Sequence, residues 1–350
     1  MAWNPFKRVS SLLEYGGANG RPQSTPEAIA SPWSTGSLQS IVWSDVFGGS
    51  YSRVTRAEAM RVPAIAKGRG LICGTLSRQP LVAYKNAERL SAQPAWLYRT
   101  NTAESPYVRM LWTLDDLLFG GTSLWTVERG AQGQITDALR VPPEWWEIDP
   151  DGRILVYGKP VNRDEVLYFE GPQDGLLDIA SEDIRAARDT TKAWSSRVKA
   201  PVPMVELHIN DANKQLSQEE SDNLLASWND ARENGGGTAI TPAEIDVRTH
   251  GEVATDLYIQ GRNASRLDFA NYMSVPASLL EGSTATASLT YSTQEGARNE
   301  LLDYTLTYWA SAIEARLSMD DAVPRGQRVA FDLSYFTRTP QPSGPTPTED

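Results

Sequence analysis

Thiol and imidazole are nearly missing from this 350-residue sequence, which has one cysteine, Cys73, and two histidines, His208 and His250. A lone cysteine permits no intrachain disulfide and no multi-cysteine zinc site. Neither histidine stands in a metal-ligand spacing such as HExxH. His208 alternates with Val205, Leu207 and Ile209 and reads as a structural strand residue, while His250 follows a strand at an expected helix start. Cys73, between Ile72 and Gly74 on an expected helix, reads as a buried, inert thiol. There is no G-x-S-x-G elbow and no G-x-x-x-x-G-K-[ST] loop. Gly68-Arg69-Gly70 is too short for a dinucleotide fingerprint, and DPDG at Asp149 to Gly152 has too few carboxylates for a calcium loop. No cofactor, metal or catalytic residue is therefore expected.

Other shortages narrow the class. No apolar run approaches the ~20 residues that span a bilayer, so no membrane is expected. MAWNPFKRVSSLLEYGG carries no apolar block followed by a small-residue cleavage site, so it does not read as a secretory signal. Basic residues are outnumbered 33 to 44, for a net charge of −11. That balance argues against a tight grip on nucleic acid, which needs clustered Lys and Arg, but not against a surface along which nucleic acid slides.

What is present is a globular composition, 40% apolar and 22% charged, with 11 tryptophans and enough chain for two or three domains. Residues 1–50 read as an irregular N-terminal arm, with Gly16 to Ser40 rich in Gly, Pro, Ser and Thr. Residues 339–350 alternate proline with small polar residues and read as a disordered tail.

Between these ends the periodicity is strong. Thr55 and Glu58 form a capping box before a helix from about Arg56 to Ser77, in which Pro63 is a candidate kink. LVAYK then alternates as a strand. A second helix runs from Ser105 to Phe119 and stops at Gly120-Gly121. SLWTVER, QITDALRV, EWWEID, RILVYG and VLYFEG follow as strands, so residues 50–175 read as an α+β domain with a strand meander. Ile184, Ala187, Thr191, Trp194 and Val198 are spaced 3, 4, 3, 4 on a further helix. A small α/β module comes next: VELHIN, a helix capped by Ser217 and Glu220, and the strands TAI and EIDVRTH. Thr249 and Glu252 form a third box, opening a helix that carries Val253, Leu257, Gln260, Ala264, Leu267 and Asn271. After a small-residue loop, Gly282 to Ser288, Ser292 and Glu295 cap a long helix with Leu302, Leu306, Trp309, Ile313 and Leu317 on one face. RVAFDLSYF closes the chain as a strand.

Two features admit competing readings. Trp145 and Trp146 are adjacent and would face opposite sides of a strand, one to core and one to an interface. With Glu144 and Glu147 beside them, they also fit a carbohydrate-active enzyme with a carboxylate pair. The loop Gly282 to Ser288, uncharged and without bulk, is either an ordinary mobile loop or one that crowds against copies of itself around an axis.

The order of parts adds a further reading beside these. VPAIAKGRGLICGTLSRQPLVAYK precedes LLFGGTSLWTVERG and LRVPPEWWEIDPDG. VLYFEGPQDGLLDIASEDIRAARD leads into the first heptad-spaced helix. RLDFANYMSVPASLLEG is then followed by TYSTQEGARNELLDYTLTYWASAIEARL. This succession, from about Arg53 to Arg338, resembles the HK97-like portal proteins of tailed bacteriophages, most specifically in its last two segments.

The resemblance implies an α+β portal fold assembled as a cyclic ring, usually of twelve subunits, at one capsid vertex. Its parts would be a wing (51–180), stem helix 1 (181–200), a small α/β clip (201–250) and stem helix 2 (251–272). A tunnel-loop region (273–290) and a helix returning to the wing with the final strand (291–338) would follow. Relatives often continue into a helical crown, which would here be either nearly absent or a shortened version ending at Asp350. The ring would conduct double-stranded DNA during packaging by the terminase large subunit, then join a head–tail connector or adaptor. It would sit in the virion against the major capsid protein or scaffold, after assembly in the host cytoplasm. Gly282, Ser283, Thr284, Ala285, Thr286, Ala287 and Ser288 would form the tunnel loop nearest DNA. Asn210, Asp211, Asn213, Lys214 and Asn234 would lie in the docking clip. Gly251 to Ala322 holds ten acidic and four basic residues, which would repel phosphate at close range. Arg262 and Arg266, one helical turn apart, would be sparse positive contacts, or else pair with Asp268 or a neighbour's carboxylate. A shorter connector protein is the remaining structural alternative, but it would lack paired stem helices around an inserted module.

Overall fold

The computed structural model describes residues 4–7, 9–10, 54–199, 204–209, 217–233, 245–250, 259–280, 296 and 298–334. The N-terminal arm beyond residue 10, the TAI strand, the box at Ser292 and Glu295, and the tail lie outside the described residues. The chain divides into two compact units, Met1–Arg188 with Arg262–Asp350, and Asp189–Gly261. Among the described residues no helix is long and apolar enough to cross a membrane.

The helix expected from Arg56 to Ser77 is two helices, α1 (Arg56–Ala59) and α2 (Pro63–Leu76). Proline lacks the N–H that would continue the first helix and excludes helical geometry at the residue before it. Val62 is accordingly extended, and Pro63 opens a new helix at its first position. The capping box of Thr55 and Glu58 is complete. Helix α2 buries Ile65, Ile72, Cys73 and Leu76, and Gly68 lies where a Cβ would overlap the Met273 thioether.

Strand β1 (Leu81–Lys85) pairs antiparallel with β2 (Glu88–Arg89) across a tight turn in which Asn86 and Ala87 both have positive φ. After a short α3 (Ala95–Tyr98) comes α4 (Pro106–Gly120). The Ser105 hydroxyl accepts from the Val108 N–H at its start, and Gly121 ends it at φ +74°. Strand β3 (Thr122–Arg129) lies between β4 (Ile135–Val141) and β8 (Val166–Glu170), all antiparallel.

This sheet is buried on both faces, and its alternation assigns each residue a side. Trp125, Val127, Leu167 and Phe169 join α2 and α4 in the main core. Leu124, Leu139, Val141 and Val166 turn to a second core with Phe6, Val9 and Val156. A small sheet of β5 (Trp146–Ile148), β6 (Ile154–Val156) and β7 (Lys159–Pro160) borders the second core. Trp145 is not in a strand with Trp146, because it closes a 3-10 turn, Pro143–Trp145. Two consecutive prolines favour such a turn.

The chain then passes through α5 (Leu176–Ile179) into α6 (Ser181–Lys199), with Ile184 buried at its start. It returns along α8 (Ile259–Tyr272) and α9 (Ala277–Leu280). The expected stripe of α8 faces the other way from a core helix. Ala264, Leu267 and Asn271 are exposed, Leu267 at 50%, while Phe269 and Ala270 are buried. A 3,4 spacing marks a face that wants a partner, but not that the partner lies in the same chain. The long helix is also altered: Leu301–Leu306 is π-helical and runs into α10 (Thr307–Leu317). Leu306, Trp309, Ile313 and Leu317 are fully buried as expected. The last strand, β11 (Gln327–Phe331), pairs with β1 and ends earlier than RVAFDLSYF suggests. The Asp332 N–H donates to the Pro80 carbonyl and the Leu333 N–H turns back to Phe331.

The second unit contains β9 (Met204–Ile209), α7 (Gln218–Glu233) and β10 (Ile245–His250). The box at Ser217 and Glu220 is present, with both backbone N–H groups bonded reciprocally. Of the box expected at Thr249 and Glu252, Glu252 lies outside the described residues, as do residues 251–258 that would open the helix behind it. Thr249 pairs with Val205 and His250 with Met204, so both residues continue the strand instead of starting a helix.

Candidate functional site

Helix α4 carries two adjacent buried carboxylates, Asp115 and Asp116, both engaged by arginines. Arg56 donates to Asp115 at 2.5 and 2.8 Å, and Arg69 donates to it at 2.7 Å. Arg140 makes a bidentate pair with Asp116 at 2.6 and 2.5 Å, and the Ser123 hydroxyl adds a third bond at 2.9 Å. The guanidiniums of Arg56, Arg69 and Arg140 all approach the Trp112 ring, at 5.0, 5.7 and 5.5 Å. Burial pushes the Asp116 carboxyl up to about 6 against the pull of Arg140. This cluster ties α1, α2 and β4 to α4. Its carboxylate oxygens are spent on guanidiniums and a hydroxyl, which suits a brace better than a general base. No local motif announces it, since Arg56, Asp115 and Arg140 are far apart in sequence.

Burial lowers the Arg109 guanidinium to about 10, so it stays cationic at neutral pH. It donates to the carbonyls of Ala138 and Trp96 at 2.6 and 2.7 Å and stacks over Trp125 at 4.5 Å. Burial raises the Cys73 thiol far above its ordinary value, away from the reactive thiolate. His208 sits in β9 opposite Asp246. No group of three or more His, Cys, Asp or Glu side chains could hold a metal among the described residues.

Trp145 and Trp146 are half-buried against the second core, their rings 5.2 Å from Tyr157 and 6.0 Å from Tyr168. Packing of this kind accounts for both, and Glu144 and Glu147 are left exposed. The carbohydrate-enzyme reading loses its aromatic platform.

One open cleft of about 560 Å³ lies at the start of α6 and the end of α8. It is lined by Gln173, Ile179, Asp183, Asp268, Asn271 and Tyr272. The Tyr272 hydroxyl donates to Asp183 at 2.6 Å, which raises the phenol's pKa, and Gln173 donates to the Tyr272 carbonyl at 2.7 Å. Residues some ninety positions apart meet here, and none belongs to a recognisable motif.

Of the residues singled out in the sequence, Arg262 and Arg266 lie one turn apart on α8, Arg262 exposed and Arg266 half-buried. Among the described residues no ion pair joins Arg266 to Asp268; two positions apart, they point to different sides of the helix. Gly282 to Ser288 lie outside the described residues, as do Asn210, Asp211, Asn213, Lys214 and Asn234.

Comparison with known proteins gives the arrangement a context. A family model described as "Phage portal protein" matches residues 63–341. The crystal structure of an HK97 family phage portal protein from Corynebacterium diphtheriae is 30% identical, with a TM-score of 0.67, over 81% of this chain and 97% of that one. A chain in the neck of an empty GTA particle, solved with C6 symmetry, matches at 14% identity and a TM-score of 0.56 over 85% of this chain and 90% of that one. A chain in the neck of a native GTA particle, solved with C12 symmetry, matches at 13% identity and 0.55 over 85% and 89%. These last two show the fold alone. No curated protein matches.

Proposed function

This chain belongs to the phage portal protein family, and from that premise we propose that it closes into a ring around an axial channel for double-stranded DNA. The observation that carries the proposal is the solvent-facing stripe of α8. Ala264, Leu267 and Asn271 point away from a helix whose other face, at Phe269 and Ala270, is buried. A half-exposed leucine on a regular stripe fits a heterologous contact that closes by rotation. A neck particle of this fold carries twelve-fold symmetry, and twelve is the count proposed here.

In that reading residues 51–180 are the wing, 181–200 and 251–272 the stem, 201–250 the clip and Gly282 to Ser288 the tunnel loop. The clip meets the terminase large subunit during packaging and a connector afterwards. The ring sits at the capsid vertex, held by major capsid protein or scaffold, and assembles in the host cytoplasm. The excess of acidic residues between Gly251 and Ala322 keeps DNA from adhering, with Arg262 and Arg266 as sparse positive contacts. Repulsion is screened beyond about 10 Å, so only side chains close to the DNA take part.

The proposal is tested by imaging the assembled protein with a DNA duplex and counting the copies around the density. A closed ring with an axial passage wide enough for the duplex supports it. Particles without an axial passage contradict it.

A further inference from the structure

We infer that the π-helical turn Leu301–Leu306 is a register switch, able to pass to ordinary α-helix and so shift the chain entering α10 by one residue. The Thr307 N–H donates to the Leu302 carbonyl, five residues back, and the Thr307 hydroxyl donates to the same carbonyl at 2.9 Å. In an α-helix that carbonyl would accept from Leu306. A π turn therefore holds one residue more than an α-helix over the same span, and such turns recur where helices adjust.

The two ends of the turn are held unequally. On the C-terminal side Leu306, Trp309, Ala310 and Ile313 are fully buried. The Thr305 hydroxyl donates to the Ser274 carbonyl at 2.6 Å and the Trp309 indole to Met273 at 3.0 Å. On the N-terminal side Asn299, Glu300, Asp303 and Tyr304 are exposed, Tyr304 at 69%. A change of register must therefore be taken up by the N-terminal side, as a rotation of about 100° and an advance of about 1.5 Å.

The sequence is suited to both registers. Leu301 and Leu302 are adjacent and both lie half-buried against the main core. A rotation of one residue exchanges neighbouring positions, so each register lays a leucine on the core. Thr307 is exposed. Its hydroxyl passes to solvent in the α register, and no buried polar group is stranded. The inference stands on this geometry and not on what the assembled ring conducts.

Hydrogen exchange on the assembled full-length protein tests it, comparing wild type, Thr307→Val and a deletion of Asp303. Wild-type amides of Leu302–Leu306 are expected to exchange at least about tenfold faster than those of Trp309–Leu317, because interconversion breaks their bonds. Deleting Asp303 removes the extra residue and should slow exchange in the turn by about tenfold, leaving Trp309–Leu317 unchanged. Thr307→Val keeps the side-chain shape, removes the hydroxyl, and should slow exchange in the same direction. Equal protection of the two segments in wild type would overturn the inference. So would no change on Thr307→Val, a deletion that loosens Trp309–Leu317, or a deletion variant that does not fold.

Discussion

The indole N–H of Trp309 donates to the backbone carbonyl of Met273 at 3.0 Å, and both residues are fully buried. Met273 follows the last turn of α8, and Ser274 after it has φ +53°. The bond thus ties the end of a helix proposed for the stem to the first turn of α10. Trp309→Phe keeps most of the packing but leaves the carbonyl without a partner. It should cost about 1–3 kcal/mol, read as a lower denaturation midpoint, whereas Tyr304→Phe, at an exposed position, should cost almost nothing.

Gly175 packs against the end of α4, where a Cβ would overlap the Phe119 carbonyl and come within 2.7 Å of the Gly120 Cα. These are backbone atoms and cannot rotate aside. Gly175→Ala should destabilise by about 1–3 kcal/mol. Gly120→Ala, which meets nothing within 4 Å, should be neutral or stabilise by up to about 1 kcal/mol. Equal midpoints for the two variants would refute this packing.

Glu58 is held down at about 2, below its ordinary 4.5, first by the Thr55 backbone N–H and then by the Arg188 guanidinium. A carboxyl with a lowered folded pKa supports the fold above its unfolded value and loses that support as pH falls toward the folded one. Glu58→Gln should therefore be less stable than wild type at pH 7. The difference should shrink from about pH 4.5 downward and vanish near pH 2. A difference that does not vary with pH over that range would contradict the assignment.

Leu267→Asp should leave the folded chain intact, because the side chain is half-exposed within the subunit. It should prevent closure of the ring, where that face meets a neighbour. Circular dichroism and light scattering separate the two effects, and a variant that assembles normally would move the contact elsewhere.

Ser283→Glu combined with Ser288→Glu should impair head filling without blocking ring assembly, since added carboxylates in the tunnel loop would repel phosphate. Normal filling by the double variant would refute the placement of that loop beside DNA.

Local chemistry was legible wherever a short stretch decides the outcome. Ser105 and Gly121 bracket α4, Ser217 and Glu220 open α7, and the meander from Thr122 to Glu170 alternates as its strands do. Where two local signals compete, the pattern is silent on the winner. Thr55 starts a helix that Pro63 interrupts, and the cap-like Thr249 is claimed by its ladder partner Val205. The π turn escaped because Leu302 and Leu306 sit at α spacing, and the bonds from the Thr307 N–H and hydroxyl to the Leu302 carbonyl leave no mark in that spacing. The stripe of α8 was visible as a spacing, but its direction depends on what Phe269 and Ala270 bury against. The cleft at Asp183 and Tyr272 needs a contact across 89 positions, which no local signal carries.

The most direct measurement is the mass of the purified native particle by native mass spectrometry. The account predicts a closed species near twelve times 38.5 kDa, or one subunit either side. A particle that remains monomeric or dimeric at every concentration, with scaffold present or absent, would contradict it.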